Sequence, residues 1–234
     1  MAHAELLRKV SIFRDLDEAS LLGLDRLCRV RSFEREAIVV SEDERGDSLF
    51  VVAEGQTKAV LFGPSGREVI LALFRVGDFF GEMSLLDDQP RSATVMATVP
   101  SKLLVLERAA FARHLLSSPR SALPILAEIS RRLRKADEVI GNLALLDVYA
   151  RVASALRELA KREGELTPGG VLVKERPSGS QMAAMLGTTR ETVSRVLSDF
   201  QRRGYLKQSG RHLILHSDFL IETGFPTRVP ALRR

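Results

Sequence analysis

From about Arg31 to Glu107 the apolar residues fall in short runs rich in Val, Ile, Leu and Phe: SLFVVAEG, KAVLFG, EVILALF, SATVMAT and KLLVLE. Turn formers break them at close intervals, at Gly46-Asp47, Gly63-Pro64-Ser65-Gly66, Gly77-Asp78 and Asp87-Asp88-Gln89-Pro90. Short strands so punctuated predict an all-β module, an antiparallel barrel or sandwich. Ahead of it, Leu6, Leu7, Leu21, Leu22, Leu24 and Leu27 are spaced among charges as in short amphipathic helices.

After Pro119 and Pro124 the period changes. Leu126, Ile129, Leu133, Ala136, Ile140 and Leu143 step by three and four residues, the seam of a coiled coil, which predicts a long helix to about Asp147 paired with its twin across a two-fold axis. The face away from the seam is free to pack on the β module. VYARVASALRELAKRE then reads as a second amphipathic helix, EGELTPGG as a polar turn and VLVKER as a short strand. Helices from Ser180 to Leu186 and from about Thr189 to Arg203 flank a turn at Gly187, and a strand pair (205–206 and 212–215) surrounds Gly210. The expected fold class is α+β: a β-barrel or jelly-roll module over 1–118, a dimerisation helix over 119–147, a small winged domain over 148–224 and a loose tail over 225–234.

A chain of 234 residues is comfortable for two cores. With 45% hydrophobic and 28% charged residues it has the balance of a globular protein. No apolar run is as long as a membrane span, and the first twenty residues mix acids and bases, so a cytoplasmic protein without membrane contact is expected. The single cysteine, Cys28, excludes an intrachain disulfide and leaves too few thiolates for an iron–sulfur cluster; buried packing is its expected role. Charge is uneven: residues 1–150 carry 20 basic against 22 acidic side chains, residues 151–234 carry 15 against 8. A compact basic module on a slightly acidic one is suited to a phosphate backbone, here double-stranded DNA.

The basic third also carries a helix-turn-helix pattern. Ala183 is the small residue where two helices approach, Gly187 makes the turn, and Val193 tucks the second helix onto the first. Met182, Met185, Leu186, Val196 and Leu197 complete the inward faces, which leaves Arg190, Glu191, Ser194 and Arg195 outward where a major groove would be read. Thr188 with Glu191 also fits a capping box, an alternative role for the glutamate. The stretch Arg190-Glu191-Thr192-Val193-Ser194-Arg195 resembles the recognition helix of the CRP/FNR family of transcription regulators, in which R-E-T-V precedes a small residue and an arginine. By that resemblance Arg190 and Arg195 contact guanines, Glu191 a cytosine amino group and Ser194 a further polar group. Thr188, Thr189 and Thr192 serve phosphates or caps.

The resemblance continues into the β module. Gly81-Glu82-Met83-Ser84-Leu85-Leu86, then Pro90-Arg91-Ser92-Ala93-Thr94, resembles the phosphate-binding cassette of cyclic-nucleotide-binding domains, framed by Gly46, Leu49, Gly55, Gly77, Asp78 and Phe80. It implies a nucleotide site made of Gly81, Glu82, Met83, Ser84, Arg91, Ser92 and Ala93, with Glu82 accepting from a ribose hydroxyl and Arg91 and Ser92 on the phosphate. An internal ion pair of Arg91 with Glu82, Asp87 or Asp88 is the alternative. Where the cyclic-AMP-responsive archetype offers a threonine and a serine from the long helix, this chain has Ala136, which cannot hydrogen-bond a base, and Asp137, which can accept from an amino group. Cyclic AMP, cyclic GMP, cyclic di-GMP and no ligand therefore all stay open, with no metal expected. An enzyme reading would rest on Glu82, Asp87 and Asp88. No nucleophile elbow, phosphate loop or metal-ligand spacing supports it, and His3, His114, His212 and His216 are scattered, as surface groups would be. The family implies a homodimer that binds a near-palindrome and contacts RNA polymerase; the rival is a regulatory module acting on a protein partner.

Overall fold

The run SLFVVAE forms a strand buried on both faces: Leu49 and Val51 enter one core, Phe50 and Val52 another. That double burial is why its apolar residues run on without alternating. The computed structural model describes residues 3–14 and 16–222, so the tail expected over 225–234 lies outside the described residues. The chain divides into two compact units, 1–136 and 137–234.

The first unit contains β1 (Arg29–Phe33), β2 (Ile38–Val40), β3 (Ser48–Glu54), β4 (Gln56–Phe62), β5 (Glu68–Arg75), β6 (Phe79–Phe80), β7 (Thr94–Ala97) and β8 (Ser101–Glu107). They make two antiparallel four-stranded sheets, ordered β1-β8-β3-β6 and β2-β7-β4-β5. Of the barrel and the two-sheet forms expected, the two-sheet form is present. Phe33, Phe50, Phe74, Phe80, Val95 and Leu103, drawn from both sheets, fill the space between them. The outer face of the β3 sheet packs on α1 (Ala4–Lys9), α2 (Glu18–Leu27), α4 (Arg108–Ser117) and the start of α5 (Ala122–Leu145) through Leu7, Phe13, Leu21, Leu104, Phe111 and Ile125. A short α3 (Glu82–Asp87) follows β6.

Two expectations need correction. His114 is buried, because it follows Ala110 and Phe111 on the inner face of α4; its ring meets Phe13 edge-on, and Nε2 lies 3.1 Å from Ser121 Oγ. Cys28 is half-buried against the same core, and desolvation together with Asp25 pushes its thiol up to about 11, which keeps it protonated at neutral pH.

In the second unit Asp147 stops the long helix at Leu145 by capping the next one, its carboxylate accepting from Ala150 N at 2.8 Å. Beyond α6 (Val148–Glu163) come β9 (Glu165–Thr167), β10 (Gly170–Val173), α7 (Gly179–Leu186), α8 (Arg190–Arg202), β11 (Leu206–Ser209), β12 (His212–Leu215) and α9 (Ser217–Glu222). The sheet order is β11-β12-β10-β9. The stretch read as a polar turn is therefore a hairpin, with Thr167 opposite Gly170; β9 is an edge strand of three residues, too short to show a period and exposed at Glu165 and Leu166. Val152, Leu156, Val173, Met182, Val193, Val196 and Phe200 form the second core.

Burial lowers the pKa of His114 from 6.5, so the unfolded chain takes up that proton first. Its contribution to stability is complete above about pH 6.5 and is lost as the pH falls below it. Thermal unfolding at pH 7 and pH 5 should show a smaller drop in Tm for His114→Asn than for the wild type; an equal drop would assign the acid sensitivity to other groups.

Candidate ligand cassette and nucleic-acid interface

Two glycines open the space in which the cassette arginine lies. Gly81, at φ 88° ahead of α3, would bring a Cβ within 2.6 Å of Arg91 Nη1 and 2.8 Å of the Ser48 carbonyl oxygen. A Cβ on Gly46 would lie 2.5 Å from Ser84 Cβ and 2.8 Å from Arg91 Cζ. Into this space Arg91, 6% exposed, donates from Nη1 to the Gly81 carbonyl (2.9 Å) and from Nη2 to the Ser48 carbonyl (2.8 Å), with Phe50 beneath its guanidinium. Arg91 forms none of the three ion pairs considered for it: Asp88 pairs with Arg108 (3.2 Å), Glu82 pairs with Arg132, and Asp87 Oδ1 accepts from Gln89 N (3.0 Å). Burial lowers the pKa of Arg91 and nearby Asp47 and Glu82 oppose that shift. Two of its five N–H donors are spent on these carbonyls, so the group retains donors for a phosphate.

Glu82 is 1% exposed. Its Oε1 accepts from Arg132 Nη1 at 2.7 Å, while Arg132 Nη2 donates to the Phe79 carbonyl (2.6 Å), Nε donates to Glu128 Oε1 (2.9 Å), and Phe74 and Phe79 flank the guanidinium. Desolvation raises the pKa of Glu82; Arg132 pulls it back. The other oxygen, Oε2, is buried and has no hydrogen-bond partner among the described residues. A buried acceptor left open is costly, and it suits the donor hydroxyl of a bound sugar. Among the described residues no trio of His, Cys, Asp or Glu is placed to hold a metal ion.

The other expected ligand residues divide. Ser84 and Ala93 are buried, whereas Met83 and Ser92 are exposed and Ser92 Oγ lies 3.9 Å from Met83 Sδ. Ala136 and Asp137 are exposed on α5. Arg132 was missed; its sequence signal is the acid four residues before it, Glu128, off the apolar seam. On that seam Leu126, Leu133 and Ile140 are each more than half exposed and Leu143 is 45% exposed, while Ile129 is half-buried against its own core.

In the second unit Ser178 and Gln181 close a reciprocal capping box at the start of α7. Gly187, at φ 62°, ends that helix. The cap of α8 is Thr189, whose Oγ1 accepts from Thr192 N at 3.2 Å, one residue later than the Thr188 box considered above. Glu191 thus falls one position short of the residue that closes a box, and its carboxylate is exposed. Its pKa is lowered by its own backbone N–H and by Thr189 at the helix start. Val193, Val196, Leu197 and Phe200 anchor α8 in the core, and Arg190, Ser194 and Arg195 are exposed with Glu191. Thr188 and Thr192 are half-buried and Thr189 is exposed.

Residues 30–118 match the cyclic nucleotide-binding domain family and residues 150–221 the Crp-like helix-turn-helix domain family. The CRP-like cAMP-activated global transcriptional regulator of Mycobacterium tuberculosis (strain CDC 1551 / Oshkosh) is 29% identical over 211 residues, covering 90% of this chain and 94% of the relative. The Thermus thermophilus catabolite activator protein is 30% identical, covering 92% of this chain and 98% of that one, with a TM-score of 0.53. The c-di-GMP responsive global regulator CLP of Xanthomonas campestris is 25% identical, covering 86% and 99%, with a TM-score of 0.71. A nucleotide-binding β unit followed by a helix-turn-helix unit defines a DNA-binding transcription regulator. Its sequence and both domains place this chain in the CRP/FNR family.

Removing one partner of a buried ion pair typically costs about 3–5 kcal/mol, because the other charge is left unpaired. Arg132→Ala should therefore lower stability in denaturant by about that amount. Adding Glu82→Gln should recover at least half of the loss; a double variant no more stable than Arg132→Ala would show that the pair is not coupled.

Proposed function

We propose that the protein is a homodimeric, sequence-specific transcription regulator whose DNA affinity is gated by a nucleotide second messenger held between the β unit and the long helix. The observation that carries the DNA-reading part is the exposed set Arg190, Glu191, Ser194 and Arg195 on a helix whose opposite face is locked in a core. Guanidinium matches guanine O6 and N7, and carboxylate matches the cytosine amino group. The exposed heptad Leu126, Leu133 and Ile140, with Ala136 and Leu143, supports pairing of two long helices. Paired in that way, the recognition helices would enter successive major grooves about 34–36 Å apart. Arg190 beside Glu191 and Ser194 favours half-sites of the TGTGA kind.

In this reading 1–118 senses, 119–147 dimerises and 148–224 reads DNA. Gly81, Glu82, Arg91 and Ser92 form the ligand contacts, with Glu82 Oε2 taking a ribose hydroxyl and the guanidinium of Arg91 taking a phosphate. Cyclic AMP, cyclic GMP and cyclic di-GMP are the candidate messengers. The exposed Ala136 and Asp137 support a base contact different from that of the cyclic-AMP archetype. Cytoplasmic residence and contact with RNA polymerase complete the proposal. A reading face on α8 disfavours a module that acts only on a protein partner.

Arg195→Ala should cost about 1–3 kcal/mol on a duplex carrying the contacted guanine and little once that base is replaced. A uniform loss on both duplexes would make Arg195 a phosphate contact. Leu133→Glu should give monomers by light scattering with little specific DNA affinity, and an intact dimer would refute the seam.

A further inference from the structure

Arg176, between β10 and α7, is a cation taken out of water that forms no ion pair with an acid among the described residues. It is 9% exposed, and its hydrogen bonds run from Nη1 to the Pro177 carbonyl (2.9 Å) and the Met182 sulfur (4.0 Å). Its Nε is buried and has no partner among the described residues. Burial and the neighbouring charge of Arg211 both lower its pKa, and no carboxylate opposes them. Two guanidinium groups of the first unit are served differently: Arg132 has Glu82 and Glu128, and Arg108 has Asp88. An uncompensated buried charge is destabilising, a cost that an arriving anion would offset.

Arg176 also lines a cleft of about 200 Å³, together with Arg190, Ser194, Ser198, Gln201 and Gln208. Two guanidinium groups and four neutral hydrogen-bonding side chains face this space, and no acid lines it. Arg190 and Ser194 belong to the face of α8 proposed to read bases, so the cleft borders that face. We infer that the cleft seats a backbone phosphate of the DNA duplex, with Arg176 as the cation that compensates it, an assignment that rests on the DNA-reading proposal. Backbone phosphate contacts set position and sequence-independent affinity. Arg176 would thus add binding strength without adding sequence preference.

The test is fluorescence anisotropy on the full-length protein with a TGTGA-type duplex and a scrambled duplex, each across a salt series. Wild type, Arg176→Met and Arg176→Lys are compared. Arg176→Met should weaken binding to both duplexes by about the same factor, roughly tenfold, and reduce the salt slope by about 1. Arg176→Lys should keep most of the slope. Without DNA, the Tm of Arg176→Met should be equal to or above that of the wild type. Unchanged affinity and slope for Arg176→Met, or a fall in Tm with an unchanged slope, overturns the phosphate seat while leaving the DNA-reading proposal standing. A loss confined to the TGTGA duplex makes Arg176 a base contact and also overturns the seat. Wild-type protein that binds neither duplex overturns the DNA-reading proposal, and the seat with it.

Discussion

A carboxylate taken out of water must find a cation and enough donors, or give up its charge. Glu82 meets that demand with a residue fifty positions away, Arg132 on the long helix, and the rest of the cassette follows from how the pair is held. Arg132 is itself oriented by Glu128 on the same helix and held by the Phe79 carbonyl, so a shift of the helix past the cassette breaks two charge-assisted contacts, to Glu82 and to Phe79. On the cassette side, Arg91 grips the carbonyls of Gly81 and Ser48, while Arg108 grips those of Gly46 and Ser84. The glycines at 46 and 81 are the condition for this arrangement, since a methyl group at either position would overlap Arg91.

This arrangement links a ligand's chemistry to the helix on which dimerisation is proposed to depend. Glu82 offers Arg132 one oxygen and leaves the other without a partner. In the proposed mechanism a ligand hydroxyl bonded to Oε2 favours the charged carboxylate, which strengthens its hold on Arg132 and biases the position of α5. In that proposal the free energy for gating DNA binding would come from a difference in the ligand's affinity for two helix positions. The same rule of charge compensation, applied to Arg176 in the second unit, leads to the phosphate seat proposed there.

Local patterns made much of this architecture legible in the sequence. Turn residues at short intervals marked the strands, the three-and-four stepping of Leu126 to Leu143 marked the long helix, and Ala183, Gly187 and Val193 marked the turn between α7 and α8. What stayed hidden was non-local or depended on one position. Arg132 reads as an ordinary surface arginine on a charged helix, because its meaning comes from a carboxylate fifty residues away. His114 looked like a surface group because a single histidine carries no period, although Ala110 and Phe111 one turn earlier define the face it shares. The strand at Glu165 to Thr167 is an exposed edge of three residues, too short to carry a strand period. Thr188 and Thr189 could each cap α8 as far as the sequence goes, because two adjacent threonines offer the same chemistry, and only backbone geometry chooses Thr189.

The most direct test of ligand-gated DNA reading is titration of the full-length protein with a labelled near-palindromic TGTGA-type duplex at one fixed salt concentration. The titration is run without nucleotide and then with cyclic AMP, cyclic GMP or cyclic di-GMP. Specific binding whose affinity one of the three nucleotides changes by about tenfold or more is the predicted result. Specific binding that none of them alters would contradict gating through the Glu82 and Arg91 cassette by these messengers, and no specific binding under any condition would contradict the DNA-reading assignment for this duplex.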